Sequence, residues 1–210
     1  SSGFGKRIQP MSEPTGTVDM MIDTFEDYKF HEVDTHNIAS LGRRWFGDQF
    51  NIDNNKTFEF EFPNLVTAIP IHLKVYVAST SSSPNNMQIN VNESAVSNLS
   101  MFGATSPTLA RDSFYSGNVN VNADKIEVNL IYDNQGNPSG IGYLDYISIE
   151  ATRELTFEDK QFQFKNSAVV SATGIGQYNI ANASQISEVW EVTDLYNVSS
   201  YINADASSNL

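Results

Sequence analysis

Cysteine is absent from the 210 residues of this chain. Disulfide bonds, thiolate metal sites and a cysteine nucleophile are therefore excluded for these residues. Small secreted domains of eukaryotes commonly carry disulfides, so the composition fits a protein of the bacterial envelope better.

Basic residues are also scarce. The chain has 12 Lys and Arg against 25 Asp and Glu, which gives a net charge of −13. Such a charge repels nucleic-acid phosphates, and the few basic residues form no stripe along the sequence. We therefore expect no nucleic-acid partner, and solubility is a sufficient reason for the acidic charge.

Long apolar runs and sustained helical periodicity are missing as well. No apolar run approaches the roughly 18 residues that a membrane-spanning helix needs, so we predict no transmembrane segment. No segment keeps a period of about 3.6 residues, so any helices are expected to be short. The aromatic residues, 13 Phe and 9 Tyr among them, are typical of strands. The chain is predicted to be all-β.

Alternation of apolar and polar residues locates the strands. Alternating segments occupy residues 57–62, 71–77, 87–91 and 125–132, and residues 141–149 are apolar on both faces, as in a central strand. The polar stretch 79–86 joins two of these segments, 71–77 and 87–91, so we expect them to form a β-hairpin. Residues 133–140 are predicted to be a turn. Residues 93–118 are less regular and are expected to hold short strands and long loops.

We predict three regions along the chain. Residues 1–18 have little periodicity and are expected to be a linker or a cloning remnant. Residues 19–153 are expected to form a jelly-roll-like antiparallel β-sandwich, since unequal strands and long loops favour a sandwich over a closed barrel. Residues 154–210 are expected to be a small strand-rich extension. Its last strand, 186–192, has Ile186, Trp190 and Val192 on one side, and Trp190 is expected in the core.

The three histidines give little support for a metal site. Two of them, His31 and His36, bracket Glu32 and Asp34. In an extended segment these two imidazoles lie on opposite faces, and the chain has no His-Glu-x-x-His motif. We interpret residues 31–36 as a polar strand or loop. The oxygen-rich residues 133–139 could hold a calcium ion, and the sequence leaves that open.

Catalytic motifs are missing too. No serine lies in a Gly-x-Ser-x-Gly elbow, and the glycines near residues 140 and 174 lack a following phosphate-binding loop and helix. We predict no catalytic residue and no cofactor.

Carbohydrate binding is one possible function for a β-sandwich with exposed aromatic side chains. The candidates are Trp45, Trp190, Tyr115, Tyr143 and Tyr146. Aromatic side chains in β-proteins more often belong to the core. An exposed, coplanar aromatic pair in a groove would favour sugar binding.

Three stretches of the chain resemble a known family. They are DYKFHEVD at 27–34 with SLGRRWFGDQF at 40–50, then GYLDYISI at 142–149 with REL at 153–155, and finally EVWEVTD at 188–194. In this order and spacing they resemble the segment that precedes the catalytic domain in the sortase of the type IX secretion system, which is related to the gingipain cysteine peptidases.

The resemblance implies a location and a role. It implies a protein at the cell surface, on the outer face of the outer membrane of a Bacteroidetes-type bacterium. The full-length relative removes the C-terminal sorting signal of secreted cargo and attaches the cargo to surface lipopolysaccharide, using a cysteine nucleophile with a histidine partner. Since this chain has no cysteine, those roles fall on no residue here. The chain is expected to be a non-catalytic accessory region that leads towards a C-terminal peptidase domain of the same polypeptide.

The resemblance also implies partners: that peptidase domain, and translocon proteins or cargo. The best candidates for such an interface are Arg43, Arg44, Trp45, Phe46 and Trp190, because arginine and tryptophan concentrate binding energy at interfaces. A structural alternative has Trp45 and Phe46 capping the sandwich while an arginine pairs with Asp48. A carbohydrate-binding module of a surface protein remains the alternative function.

Overall fold

The computed structural model describes residues 7–12, 14–38, 44–171, 173–208 and 210. Strands dominate these residues, and their helical segments are two short 3₁₀ helices, Ser167–Ser171 and Ala183–Gln185. In the described part of the chain, no helix has the length and apolar character to cross a membrane. The prediction of an all-β protein with only short helices is confirmed.

Fourteen strands follow one another along the described chain. They are β1 Gln9–Pro10, β2 Val18–Ile22, β3 Thr24–Glu32, β4 Gln49–Phe50, β5 Asn55–Glu61, β6 Ile71–Ser79, β7 Asn85–Val91, β8 Ser94–Met101, β9 Arg111–Val119, β10 Lys125–Asp133, β11 Gly142–Glu154, β12 Ile175–Tyr178, β13 Glu188–Glu191 and β14 Ser199–Ile202.

The chain divides into two units. One unit is Asp27–Arg153, and the other combines the segment up to Glu26 with the segment from Glu154 onwards. Residues 1–18, expected to be a linker, contain β1 and the first residue of β2. A two-residue strand such as β1 has no periodic pattern, because it is defined by pairing with β14 far along the chain.

The unit Asp27–Arg153 is a β-sandwich of two sheets. In one sheet the strand order is β5-β10-β7-β8, and in the other it is β3-β11-β6-β9, with β4 also paired to β11. The pairings among β5, β10, β7 and β8 and among β11, β6 and β9 are antiparallel. The jelly-roll-like sandwich is therefore confirmed.

The core of the sandwich lies between the two sheets. Alternate residues of each strand point into it, which is why the period of two was visible in the sequence. Fully buried members include Ile71, Leu73, Val75 and Val77 from β6 and residues from β7, β10 and β11. Burial of this apolar surface is the main force that holds the two sheets together.

The predicted hairpin between β6 and β7 is wrong. β6 pairs with β9 and β11, whereas β7 pairs with β10 and β8, so the connection between them crosses from one sheet to the other. A polar loop looks the same in sequence whether its strands pair or face each other across a core. The hairpin is instead β7–β8, turning at Asn92 and Glu93, whose φ angles of 45° and 66° suit the tight turns of hairpins.

Residues 93–118 are more regular than expected. They contain all of β8 and most of β9, each a long strand. Serine and asparagine residues occupy many positions of these two strands, so the apolar alternation is weak and did not predict them.

The second unit has two small sheets and its own core. β1, β14 and β13 form one sheet, in which β1 runs parallel to β14, and β12 pairs in parallel with β2. The buried centre consists of Phe25, Leu155, Ile180 and Ala183. The strand-rich extension is thus completed by residues that precede the sandwich in the sequence.

The expectation that Trp190 lies in the core is wrong. Its side chain is 51% exposed, while its neighbour Val189 packs against the buried centre of the second unit. The observed strand Glu188–Glu191 has one apolar residue on each face, Val189 and Trp190, and Ile186 and Val192 lie outside it. The alternation therefore could not show which face of the strand is buried. Val189 is on the buried side because it packs against the cluster that contains Phe25.

Candidate functional site

Three aromatic side chains form a row across the outer face of the five-stranded sheet. Phe114 of β9 lies opposite Tyr76 of β6, and Tyr76 lies opposite Tyr146 of β11. The ring centres of Phe114 and Tyr76 are 5.7 Å apart with planes only 8° from parallel, and those of Tyr76 and Tyr146 are 5.9 Å apart. Directly opposed residues on one sheet face come this close because of strand spacing. We call Phe114, Tyr76 and Tyr146 the aromatic row.

Arg44 is held over this row by two carboxylates. Its guanidinium lies 4.4 Å from the ring centre of Tyr76 and 5.0 Å from that of Phe46. It donates from Nη1 to Asp112 at 2.8 Å and from Nε and Nη2 to Asp145 at 3.1 Å and 2.9 Å. The planar guanidinium can stack on rings and bind carboxylates at the same time, which an ammonium cannot.

The hydrogen bonds among Arg44, Asp112 and Tyr76 shift the pKa of each of these groups. Partial burial opposes the charged guanidinium, but its hydrogen bonds to Asp112 and Asp145 outweigh that effect and raise the pKa of Arg44. The hydrogen bond from Arg44, helped by one from Tyr76, holds the pKa of Asp112 below its usual value. Asp112 accepts a hydrogen bond from the Tyr76 hydroxyl at 2.8 Å, and this bond raises the pKa of Tyr76. At neutral pH, Arg44 is therefore positively charged, Asp112 is negatively charged and Tyr76 is a neutral phenol.

The five interface candidates from the sequence lie in different environments. Arg43 lies outside the described residues. Arg44 and the 42%-exposed Trp45 are on the surface, whereas Phe46 is buried against Ala78 and Tyr143. Trp190 belongs to the second unit.

In the structural alternative an arginine pairs with Asp48, and of the two candidate arginines the structure describes Arg44. Arg44 binds Asp112 and Asp145, and the Asp48 carboxylate lies 2.8 Å from Nε2 of His31. Of the two residues that the alternative expects to cap the sandwich, Phe46 is buried and Trp45 is 42% exposed.

Of the predicted aromatic candidates on the sandwich, only Tyr146 belongs to the aromatic row. Tyr143 is buried and Tyr115 packs against the core. Tyr76 and Phe114 were not among the predicted aromatic candidates, although the alternation in β6 places Tyr76 on the polar face. A signal was present, because Tyr115 shares its strand face with Val119, which leaves Phe114 on the opposite face.

The histidine segment is not gathered into a metal site in the described residues. His31 contacts Asp48 and packs on Phe58, with ring centres 4.7 Å apart. His36 lies in an isolated bridge with Phe46. Among the residues that the structure describes, no three His, Asp or Glu side chains stand together as metal ligands would.

The oxygen-rich loop after β10 uses its side-chain oxygens locally. Asp133 Oδ1 accepts from the Gln135 amide at 2.9 Å, and Asn137 Oδ1 accepts from the Ser139 amide at 3.2 Å. Asn134 Oδ1 likewise accepts from the Gly136 amide at 3.0 Å. These contacts explain the turn without an ion.

A shallow groove of about 660 Å³ opens where the edges of the two sheets meet. Residues 28–31 of β3 and 57–61 of β5 line it. Lys29 lies across it, with its ammonium 5.1 Å from the ring centre of Phe62 and bonded to the Glu61 carbonyl. Charged side chains at such edges discourage further strand pairing.

Comparisons with known proteins match this chain through its fold. No family model matches it, and no curated protein matches its sequence. The chain is similar to dimeric latent PorU from Porphyromonas gingivalis, with a TM-score of 0.71 and 14% identity over 92% of this chain and 19% of that chain. The chain therefore spans about a fifth of the protein it matches, and at this identity the likeness shows the fold alone.

Carbohydrate-binding modules give looser matches. A CBM36 domain of a xylanase from the hindgut metagenome of Trinervitermes trinervoides has a TM-score of 0.40 and 13% identity over 59% of this chain and 95% of that chain. A family 35 module from an environmental isolate has a TM-score of 0.39 and 14% identity over 60% of this chain and 90% of that chain. Likenesses this loose carry no functional argument.

Proposed function

We propose that this chain is the non-catalytic N-terminal accessory region of a gingipain-like cysteine peptidase that acts as a type IX secretion sortase. The observation that carries the proposal is the similarity to PorU, which extends over both units of this chain and a fifth of that one. The three sequence stretches quoted above support it independently. In this proposal the chain stands at the outer face of the outer membrane, and catalysis belongs to residues beyond it.

A surface of the second unit with two exposed apolar side chains is a suitable contact for the rest of such a polypeptide. On the sheet of β13 and β14, Trp190 lies opposite Ser200 and Glu188 lies opposite Ile202. Trp190 and Ile202 therefore share one face, and both side chains are more than half exposed. A half-exposed tryptophan beside an exposed isoleucine is typical of a surface that a partner covers.

The first test reads the gene downstream of the codon for Leu210. We expect several hundred further codons that include a histidine and a cysteine in a gingipain-like domain. A stop codon directly after Leu210 would overturn the proposal.

The second test is genetic. In the source bacterium, the segment 27–153 is deleted in frame, and the sorting signal of a secreted cargo protein is followed by immunoblotting. We expect cargo to keep its signal and to leave the cell surface, as in a strain that lacks the catalytic cysteine. Normal processing and attachment in the deletion strain would contradict an accessory role.

The surface formed by Trp190 and Ile202 is tested separately, in the full-length protein. Trp190→Ser is compared with Leu195→Ser, a second exposed apolar residue of the same unit. Hydrogen exchange of residues 188–202 should rise in the Trp190 variant and stay unchanged in the Leu195 variant. Equal exchange in both would argue against docking at Trp190.

A further inference from the structure

The outer face of β6 and β9 combines a ring with fixed polar side chains. Along this strip lie Tyr76 and His72 from β6 and Asp112, Phe114, Ser116 and Asn118 from β9. His72 is positioned by both ring nitrogens: Nδ1 lies 3.0 Å from Asn118 Oδ1, and Nε2 lies 3.2 Å from Ser116 Oγ. On the other side of Phe114, Asp112 is fixed by Tyr76 and Arg44. Polar groups held in this way are preorganised for a ligand.

Phe114 presents one free ring face. Its other face is stacked on Tyr76, yet the side chain is 61% exposed. Within the described strands, β9 is the last of its sheet, so no strand lies beyond Phe114. The two rings are parallel but stacked, and only the outward face of Phe114 is open for a ligand to stack on.

This composition fits a saccharide. A sugar ring has an apolar C–H face, which packs on an aromatic ring, and hydroxyl groups at its edge, which need donors and acceptors. Asp112 accepts, Asn118 both donates and accepts, and the Ser116 hydroxyl does both. Sites for small ligands typically pair an apolar platform with a few placed polar groups.

Electrostatics narrows the class of saccharide. The Arg44 guanidinium is already bound by Asp112 and Asp145. Lys74 is exposed on the same face, opposite Ser116, and Glu150, opposite His72, is an exposed carboxylate that balances its charge. The Asp112 carboxylate and the net charge of −13 both repel anions. The same charge opposes association with a second copy of the chain. The complementary ligand is neutral.

We propose that the strip formed by His72, Tyr76, Asp112, Phe114, Ser116 and Asn118 binds a neutral polysaccharide. One sugar ring stacks on the free face of Phe114, and neighbouring hydroxyls bond to Asp112, Ser116 and Asn118. The site does not depend on the accessory role proposed above, since it lies wholly within the sandwich. Either conclusion can fail without the other.

The test is affinity gel electrophoresis of the 210-residue chain in gels that contain xylan, galactomannan, mixed-linkage β-glucan or dextran. We expect retardation by at least one of these neutral polymers. Phe114→Ala should raise the dissociation constant about tenfold, the size of effect expected for one stacked ring. The matched control is Phe102→Ala, because Phe102 is 83% exposed and lies outside the strip.

A second variant covers the case in which Phe114→Ala fails to fold. Asp112→Asn keeps the side-chain shape and should also reduce retardation, while circular dichroism confirms the fold. The proposal is overturned if none of the four polymers retards the wild type, or if Phe114→Ala and Asp112→Asn are both retarded as strongly as Phe102→Ala. It is also overturned if the wild type is a dimer by size-exclusion chromatography that Phe114→Ala converts to a monomer.

Discussion

The hydroxyl of Tyr132 and the Oγ of Ser79 lie 2.8 Å apart inside the sandwich. Tyr132 belongs to β10 and Ser79 to β6, so this hydrogen bond joins the two sheets across the core. Both side chains are almost fully buried, and burial raises the pKa of Tyr132. Ser79 Oγ also accepts from the Ser81 amide at 3.1 Å, which ties the bond to the connection between the sheets.

Removal of this bond should destabilise the protein. We expect Tyr132→Phe to lower the free energy of unfolding by about 1–2 kcal/mol, because the buried Ser79 hydroxyl loses its bond across the core and keeps only the one from the Ser81 amide. Urea denaturation followed by circular dichroism measures the change. The control is Tyr28→Phe, at an exposed tyrosine, where we expect a change of under about 0.5 kcal/mol. Equal effects at both positions would mean that the bond adds nothing.

A glycine in the turn between β7 and β8 should stabilise the protein. Glu93 has a φ of 66°, which is unfavourable for a residue with a Cβ. We expect Glu93→Gly to raise the free energy of unfolding by roughly 0.5–1 kcal/mol, net of the entropy that glycine adds to the unfolded chain. Asn92→Gly serves as the control in thermal denaturation. It relieves a similar φ but loses the bond from the Glu127 amide to Asn92 Oδ1 at 2.7 Å, so no gain is expected.

Arg44 should not be replaceable by lysine. Lysine keeps the charge but cannot bind Asp145 through two nitrogens while stacking on Tyr76. We expect Arg44→Lys to cost about 0.5–1 kcal/mol, a modest amount because the pair is partly exposed. Chemical denaturation tests this against Arg111→Lys, an exposed arginine on β9. A loss at Arg111 as large as that at Arg44 would contradict the stacked arrangement.

The contact between Arg44 and Asp112 should depend on pH. The folded-state pKa of Asp112 is lower than its ordinary value of 3.8, so its contribution is fully present above about pH 4 and is lost as the pH falls through the lower folded value. At pH 7, Asp112→Asn should be less stable than the wild type. This difference should shrink towards pH 3, as measured by denaturation midpoints. A difference that is constant between pH 7 and pH 3 would show that the charge of Asp112 is not involved.

The alternation of side chains between the two faces of a strand explains one correct and one wrong prediction from the sequence. In β6 the alternation of Ile71, Leu73 and Val75 with polar residues marks the buried face, and it also leaves Tyr76 on the surface. Trp190 was misplaced, because its strand carries apolar residues on both faces. Periodicity is informative only where one face is polar.

Arg44 and its two carboxylates could not be found in the sequence. Asp112 and Asp145 lie 68 and 101 positions away from it, and no local pattern encodes contacts at such separations. They meet because β9 and β11 lie in the same sheet as β6 and present one face to the segment before β4.

The sequence by itself determined the strand content, the inward face of most strands and the absence of a cysteine nucleophile. These follow from composition and from a side-chain period of two, which are local properties of the chain. Only the tertiary structure decided which strands pair, that β6 and β7 belong to different sheets, and that residues up to Glu26 complete the second unit. Those choices come from the burial of apolar surface between segments distant in the sequence, a term that depends on how the whole chain packs.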